Sequence, residues 1–315
     1  MNIRFWGVRG SLGTPLTNAE LSNKLKETLQ AWIHSGNLKE EEIEPFLATL
    51  PPFLRLTAGG DTTCVEVEVG GKNIILDAGT GIRPLGLNLM GRMKGKKIEA
   101  HIFISHTHWD HICGFPFFIP AFIPGNKIQI YGVHPNLEKR FTHQQDFIYF
   151  PVPLKAMSAE IGFTQLEYED SFQIGEVKVS VFPLNHPGGS YSYRIEYDNK
   201  ILVFATDSEY KDPSFDSMTP FMEFYKNADV LIFDAQYSLV ENIEKEDWGH
   251  SNAYIGIDIA LAANVKKIIF THHEPTNTDK KLWDILSKAQ EFLEAYQAQD
   301  DLKLELAYQG LTITI

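Results

Sequence analysis

Val65-Glu66-Val67-Glu68-Val69 alternates strictly between apolar and charged residues, and a second apolar run, Asn73 to Leu76, follows across Gly70-Gly71. A period of two turns one face of a strand inward, and a glycine pair between two such runs signals a two-residue hairpin turn. Ile3 to Gly7 reads as an earlier strand. Between these strands the period changes. Leu21, Leu25, Leu29 and Trp32 recur at helical spacing behind Asn18, and a shorter helix is expected around Glu40 to Thr49, ahead of Pro51-Pro52. Together they predict a helical insertion at about 15–57.

Further β-rich runs predict strands at His101 to Ser105, Lys127 to Tyr131, Val177 to Phe182, Tyr191 to Tyr197, Ile201 to Ala205, Val230 to Phe233 and Lys267 to Thr271. Lys303 to Ile315 reads as a closing hairpin around Gln309-Gly310. Asp279 to Ala298 carries Leu282, Ile285, Leu286, Phe292, Leu293 and Tyr296 on one helical face, the pattern of core packing. Strands that alternate with helices, without a repeat of 20–50 residues, predict a layered α/β fold.

Composition narrows the class. With 315 residues, 43% hydrophobic and 22% charged, the chain can bury a large core and lacks the signature of disorder. Its longest apolar runs, such as Phe115 to Ile123, are short and proline-interrupted, so no membrane span is expected. The start, Met1 to Gly7, has no signal-peptide pattern, which predicts a cytoplasmic protein. Cys64 and Cys113 make neither a disulfide framework nor a Cys-x-x-Cys motif. A formal charge of −13 opposes a long polyanionic partner, so long nucleic acid is not the expected substrate.

The chemistry concentrates in Ser105-His106-Thr107-His108-Trp109-Asp110-His111, where three histidines and a carboxylate crowd a loop just after a strand. The chance of that pattern arising somewhere in a chain of this composition is roughly 0.002. Imidazole and carboxylate without thiolate suit Zn²⁺, with Mn²⁺ or Fe²⁺ as alternatives, and four ligands on one loop are enough to begin two sites. Companion ligands are expected at other strand ends: His186, Asp207, and His272 or its neighbour His273. His34, His101, His134 and His143 lie outside every motif and read as structural or solvent-facing.

His106-x-His108-x-Asp110-His111, followed by His186, Asp207 and His272, resembles the metallo-β-lactamase fold superfamily, with ligands in the expected order along nearly the whole chain. Leu76-Asp77-Ala78-Gly79-Thr80-Gly81 looks like the Asp-Gly motif before the metal loop, and Gly249-His250-Ser251 resembles a segment of the ribonuclease Z and phosphodiesterase branch. Arg4 to Ser11 and Gly59 to Cys64 look like bacterial hydrolases related to the cyclic-ribose phosphodiesterase of the carbon–phosphorus lyase pathway. The segments 15–57 and 136–170 match less well and are read as additions to a single domain spanning 1–315.

The resemblance implies a four-layer αββα sandwich. It implies two divalent cations, one on His106, His108 and His186, the other on Asp110, His111 and His272, with Asp207 and a hydroxide bridging them. Asp77 is implied as a carboxylate orienting a ligand imidazole, Asp110 and His250 as catalytic groups, and His273 as a possible substrate contact beside the ligand His272. The expected activity is hydrolysis of a small phosphodiester, a cyclic nucleotide or cyclic phosphate, by a possible homodimer. A lactone or thioester hydrolase is the alternative, for which Phe115-Pro116-Phe117-Phe118-Ile119-Pro120 would wall an acyl pocket. A scaffold that had lost catalysis predicts missing ligands, and all seven positions are filled.

Overall fold

The computed structural model describes residues 1–36, 39–168, 171–212 and 214–315; positions 37–38 and 169–170 of the two expected additions lie outside the described residues. The first strands build one sheet: β1 (Asn2–Gly7), β2 (Cys64–Val69), β3 (Lys72–Leu76), β4 (Glu99–Phe103), β5 (Lys127–Gly132) and β6 (Glu160–Gln165). The next strands build another: β7 (Ser171–Ile174), β8 (Val177–Leu184), β9 (Ser190–Tyr197), β10 (Lys200–Ala205), β11 (Val230–Asp234), β12 (Lys267–Thr271) and β13 (Lys303–Leu306). The last strand, β14 (Thr312–Thr314), returns to the first sheet beside β1, so the two orders are β14-β1-β2-β3-β4-β5-β6 and β13-β12-β11-β10-β9-β8-β7. Both sheets are mixed. The Gly70-Gly71 hairpin forms as expected, with both glycines at positive φ.

The expected closing hairpin does not form. β13 pairs in parallel with β12, whereas β14 pairs antiparallel with β1 in the other sheet. The turn at Gln309-Gly310 instead crosses between sheets, and its amides donate to the carbonyls of Ala58 and Phe5. Two short β runs joined by a glycine turn carry no information about which sheet each will enter. The 136–170 segment supplies more than surface decoration, since β6 is an edge strand paired with β5 in six registered positions.

The described residues form ten α-helices: α1 (Asn18–Ser35), α2 (Ile43–Thr49), α3 (Pro52–Arg55), α4 (Ile82–Met93), α5 (Trp109–Ile112), α6 (Leu137–Gln144), α7 (Phe215–Tyr225), α8 (Leu239–Glu244), α9 (Ala253–Ala262) and α10 (Asp279–Ala295), of which α4, α9 and α10 pack on the sheets. One core joins the sheets, with Ile3, Phe5, Val65, Val67 and Leu76 meeting Val179, Tyr193, Ile195 and Phe204, and it continues under α9 and α10. A second lies between the first sheet and α4, around Ile75, Leu85, Ile102, Ile130 and Phe118. The result is the four-layer αββα sandwich. No described helix is long and apolar enough to cross a membrane.

α1 is a well-capped helix, with Thr17 and Glu20 forming a capping box and Gly36 closing it at φ 73°. Its leucine stripe nevertheless stays in solvent: Leu21, Leu25 and Leu29 are 50%, 56% and 60% exposed, while Trp32 packs edge-on against Phe46. Helical periodicity therefore foretold the element but not what it would bury. Phe115, Pro116, Phe118 and Pro120 are buried, Phe115 and Phe118 within the core under α4, so the run expected to wall an acyl pocket is mostly interior.

Candidate metal centre

Strands β3 and β4, and β10 to β12, run in parallel within their sheets, so their C-terminal ends gather at one edge of the sandwich. That edge carries the chemistry. Asp77 follows β3, Ser105 to His111 follow β4, His186 follows β8, Asp207 follows β10, Asp234 closes β11, and His272 follows β12. Three of these residues leave their strands in the left-handed region, with φ of 60° at Asp77, 57° at Asp207 and 60° at His272. Such backbone costs roughly 1 kcal/mol or more for a residue with a Cβ. Here it turns each side chain abruptly from the sheet towards a common centre.

The expected ligands meet in two groups, and two of them, Asp207 and His272, share a third, buried group with Asp234 and His250. His106, His108 and His186 form the more open one: His108 is exposed, and its Nδ1 lies 3.1 Å from His186 Nε2. Asp110, His111, Asp207 and His272 form the other, all buried. There His111 Nε2 and His272 Nε2 stand 3.2 Å apart, and Asp110 Oδ2 is 3.1 Å from the first and 3.2 Å from the second. Asp207 divides between the groups. Its Oδ2 is 3.6 Å from His106 Nε2 and 3.7 Å from His186 Nε2, while its Oδ1 is 3.3 Å from His111 Nε2 and 3.2 Å from His272 Nε2.

These atoms fit divalent cations. His106 Nε2 is buried without a hydrogen-bond partner, an arrangement that strands a polar atom unless something else engages it. Its other nitrogen is occupied, since Nδ1 lies 3.1 Å from the Ser105 hydroxyl. His186 Nδ1 donates to the Gly249 carbonyl at 2.9 Å, and His111 Nδ1 donates to Asp77 at 2.7 Å, which leaves both Nε2 atoms turned inward. Fixing one ring nitrogen so that the other is presented is how metal-binding imidazoles are held.

Asp77 is completely buried and also accepts from the Ser105 amide and hydroxyl at 2.7 and 2.8 Å. Burial outweighs those bonds and raises its pKa. Asp207 and Asp110 shift the other way: burial alone would raise them, but the surrounding imidazoles hold both carboxyls well below their usual range. For His272, burial opposes the charge but Asp207, Asp234 and Asp110 prevail, raising its pKa to about 9. His111 is raised for the same reason, by Asp110, Asp207 and Asp77. In the open group burial dominates, and His106, His108 and His186 all fall below the ordinary histidine value.

The N-terminal strand end closes this centre from the side. The Ser11 amide donates to Asp110 Oδ2 at 2.8 Å, and a Cβ at Gly10 would lie 2.5 Å from the His272 ring, so only glycine permits the approach. His250 also reaches the centre, its ring 5.0 Å from that of His272 and 5.2 Å from that of His186. Its Nδ1 donates to Asp234 Oδ2 at 2.8 Å.

The adjacent histidines separate cleanly. His272 enters the buried group, but His273 does not: its ring is buried with Nε2 donating to the Ala307 carbonyl at 2.8 Å, and burial pushes its pKa down to about 3. Where the resemblance implied a possible substrate contact, His273 lies buried in the core, bonded to the end of β13 and outside these groups. His134, read as structural, lies within hydrogen-bond reach of the carbonyls of Gly188 and Gly189 in the loop that bears His186.

Sequence reasoning missed Asp234, Gln236 and Ser105. Gln236 Oε1 lies 3.2 Å from His272 Nδ1, and the Asp234 carboxylate also accepts from the Gln236 and Ser208 amides. Asp234 carried a usable signal, since it closes an apolar strand run just as Asp77 follows one; Gln236 and Ser105 carried none.

Residues 72–273 match the family model of the beta-lactamase superfamily domain. A ribonuclease Z from Prochlorococcus marinus (strain MIT 9301) is 26% identical over 314 residues, covering 83% of this chain and 98% of its own. Among solved structures, the metallo-beta-lactamase fold protein YhfI from Bacillus subtilis superposes with a TM-score of 0.62 at 16% identity, covering 99% of this chain and 98% of its own. A diphosphatase from the PhnP family follows with a TM-score of 0.60 at 18% identity, covering 99% and 96%. At these identities the structural matches speak to fold alone.

Proposed function

This chain belongs to the beta-lactamase superfamily and is a metal-dependent hydrolase, and from that premise we propose that it is a dinuclear phosphodiesterase acting on a small phosphodiester such as a cyclic nucleotide or cyclic phosphate. The observation that carries the reading is the division of Asp207, one carboxylate oxygen facing the imidazoles of His106 and His186 and the other facing those of His111 and His272 beside Asp110. A carboxylate shared in this way suits two ions held side by side.

His106 Nε2, His108 Nδ1 and His186 Nε2 would hold one cation; Asp110 Oδ2, His111 Nε2 and His272 Nε2 the other; Asp207 would serve both. Imidazole and carboxylate donors favour Zn²⁺. When bound, such ions supply a water whose pKa is lowered towards ~7 and positive charge for the phosphoryl oxygens. The protein supplies the rest. Asp77 and the Gly249 carbonyl aim two imidazoles, the Ser11 amide steadies Asp110, and Asp234 fixes His250 so that its Nε2 can give a proton to the leaving oxygen.

The relative named ribonuclease Z favours a second reading, an RNA-processing nuclease. The net charge of −13 supports the smaller substrate, since a long RNA must be held against it. No comparable observation favours a lactone substrate.

The test is hydrolysis of bis(p-nitrophenyl) phosphate, 2′,3′-cyclic nucleotides, a precursor transfer RNA, a lactone and nitrocefin by metal-loaded protein. Diester and cyclic-nucleotide turnover is expected, lost in Asp207→Ala and lowered about 10²-fold or more in His250→Gln. Cleavage of the precursor RNA alone would replace the small substrate with RNA, and cleavage of lactone or nitrocefin alone would overturn the phosphorus assignment.

A further inference from the structure

Two residues beyond Asp207 lies a carboxylate that the proposed reaction does not use. Glu209 is buried, and its two oxygens are divided in a revealing way: Oε1 accepts the Asp247 amide at 3.0 Å and Oε2 accepts the Gly249 amide at 3.2 Å. Its own amide donates to the Asn185 carbonyl at 2.8 Å, on the residue before His186. This one residue therefore ties together the loop bearing Asp207, the loop bearing His186 and the loop leading into His250.

The piece it grips touches the centre directly. The Gly249 carbonyl is the acceptor for His186 Nδ1, and Gly249 presses so closely on that ring, at φ 84°, that a Cβ would lie 2.2 Å from Nδ1. Other anchors flank it: the Trp248 amide donates to the Lys245 carbonyl, Asn242 Nδ2 to the His250 carbonyl and His250 Nδ1 to Asp234, but none of them holds the Asp247 or Gly249 amide. Trp248 is 62% exposed, α8 buries no residue, and Lys211 reaches Asp247 and Glu209 only from a half-exposed position. Without Glu209 the amides of Asp247 and Gly249 lose this acceptor, and the carbonyl that aims His186 loses the hydrogen bond made by its own residue.

We propose that Glu209 is a positioning residue that clamps the 247–250 loop over His186, and thereby sets the cation affinity of the His106, His108 and His186 group and the placement of His250. The proposal rests on the dinuclear reading. It assigns Glu209 no contact with substrate or cation; it acts through the Gly249 carbonyl on one side and the peptide leading to His250 on the other.

The experiment compares wild-type protein with Glu209→Ala and Glu209→Gln by Zn²⁺ titration against a chromophoric chelator, apo-protein thermal unfolding, and kcat and KM on bis(p-nitrophenyl) phosphate. Glu209→Ala is expected to weaken the weaker-bound of two ions by about ten- to a hundredfold while sparing the other, and to lower kcat more than it raises KM. Glu209→Gln, which keeps one acceptor oxygen, should fall between the two and remains informative if the alanine variant does not fold. A merely structural role predicts a lowered unfolding temperature with both affinities and kcat unchanged in Glu209→Gln, and that result overturns the proposal. Equal weakening of both ions overturns it too. A wild-type protein that binds one ion or none overturns the dinuclear reading itself, which the titration reports separately.

Discussion

The two halves of the centre are built from different materials. Around His111 and His272, buried carboxylates raise both imidazole pKa values, Asp110 and Asp207 acting on both, Asp77 on His111 and Asp234 on His272. Around His108 and His186, three imidazoles converge with pKa values lowered by burial, and two of them, His106 and His186, approach a single oxygen of Asp207. In the first half, carboxylates and imidazoles contact one another directly and are part of the buried core. In the second, burial disfavours charge on the rings, and His106, whose Nε2 has no partner, and His186 depend on Ser105 and the Gly249 carbonyl to stay aimed. A site can thus combine a half that is part of the folded core with a half that is assembled on it.

The largest contrast should come from deleting one imidazole in each half. His111→Ala leaves Asp77, Asp110 and Asp207 buried without their shared partner and is expected to destabilise the apo-protein by about 3 kcal/mol or more, read by chemical denaturation. His108→Ala, at an exposed position, should change apo stability by no more than about 0.5 kcal/mol. Equal losses would dissolve the distinction. Next, Asp77→Asn should weaken retention of the cation in the buried half about 10–100-fold, with a smaller effect on the other, measured by competitive titration. Graded chelation sharpens the order further: the open half should empty first, giving a singly loaded form detectable by native mass spectrometry.

The smallest effect concerns α8, outside both groups. Glu241, which caps α8 and pairs with Lys281, has its pKa lowered to about 2 from 4.5, burial being outweighed by its hydrogen bonds to Lys281 and Ser238. A depressed carboxylate contributes stability above its unfolded value and loses it as pH falls through the folded one. Because the pair is largely solvated, Glu241→Gln should cost only about 0.5 kcal/mol at neutral pH, and the difference from wild type should shrink between pH 4.5 and about 2.

Much of the fold and of the centre is legible in the amino-acid sequence. The alternation at Val65 to Val69 specifies a strand, and the spacing of His106, His108, Asp110 and His111 specifies a cluster, because both depend on residues close in the chain. Asp77 stands out by its motif, but that His111 is its partner, thirty-four positions away, emerges only from the fold. Asp234 was missed because its significance lies in facing His250, sixteen positions away and on another loop.

The sequence by itself determined the period of the elements, the resemblance to a superfamily and the order of the candidate ligands, since these are local patterns strung along the chain. Tertiary structure alone decided that β13 and β14 enter different sheets, that α1 keeps its leucines in solvent, that His273 is a core residue bonded to the Ala307 carbonyl, and that Asp234 holds His250. Each of those outcomes depends on contacts between residues far apart in the chain, and on backbone turns whose strain only the packed molecule can hold.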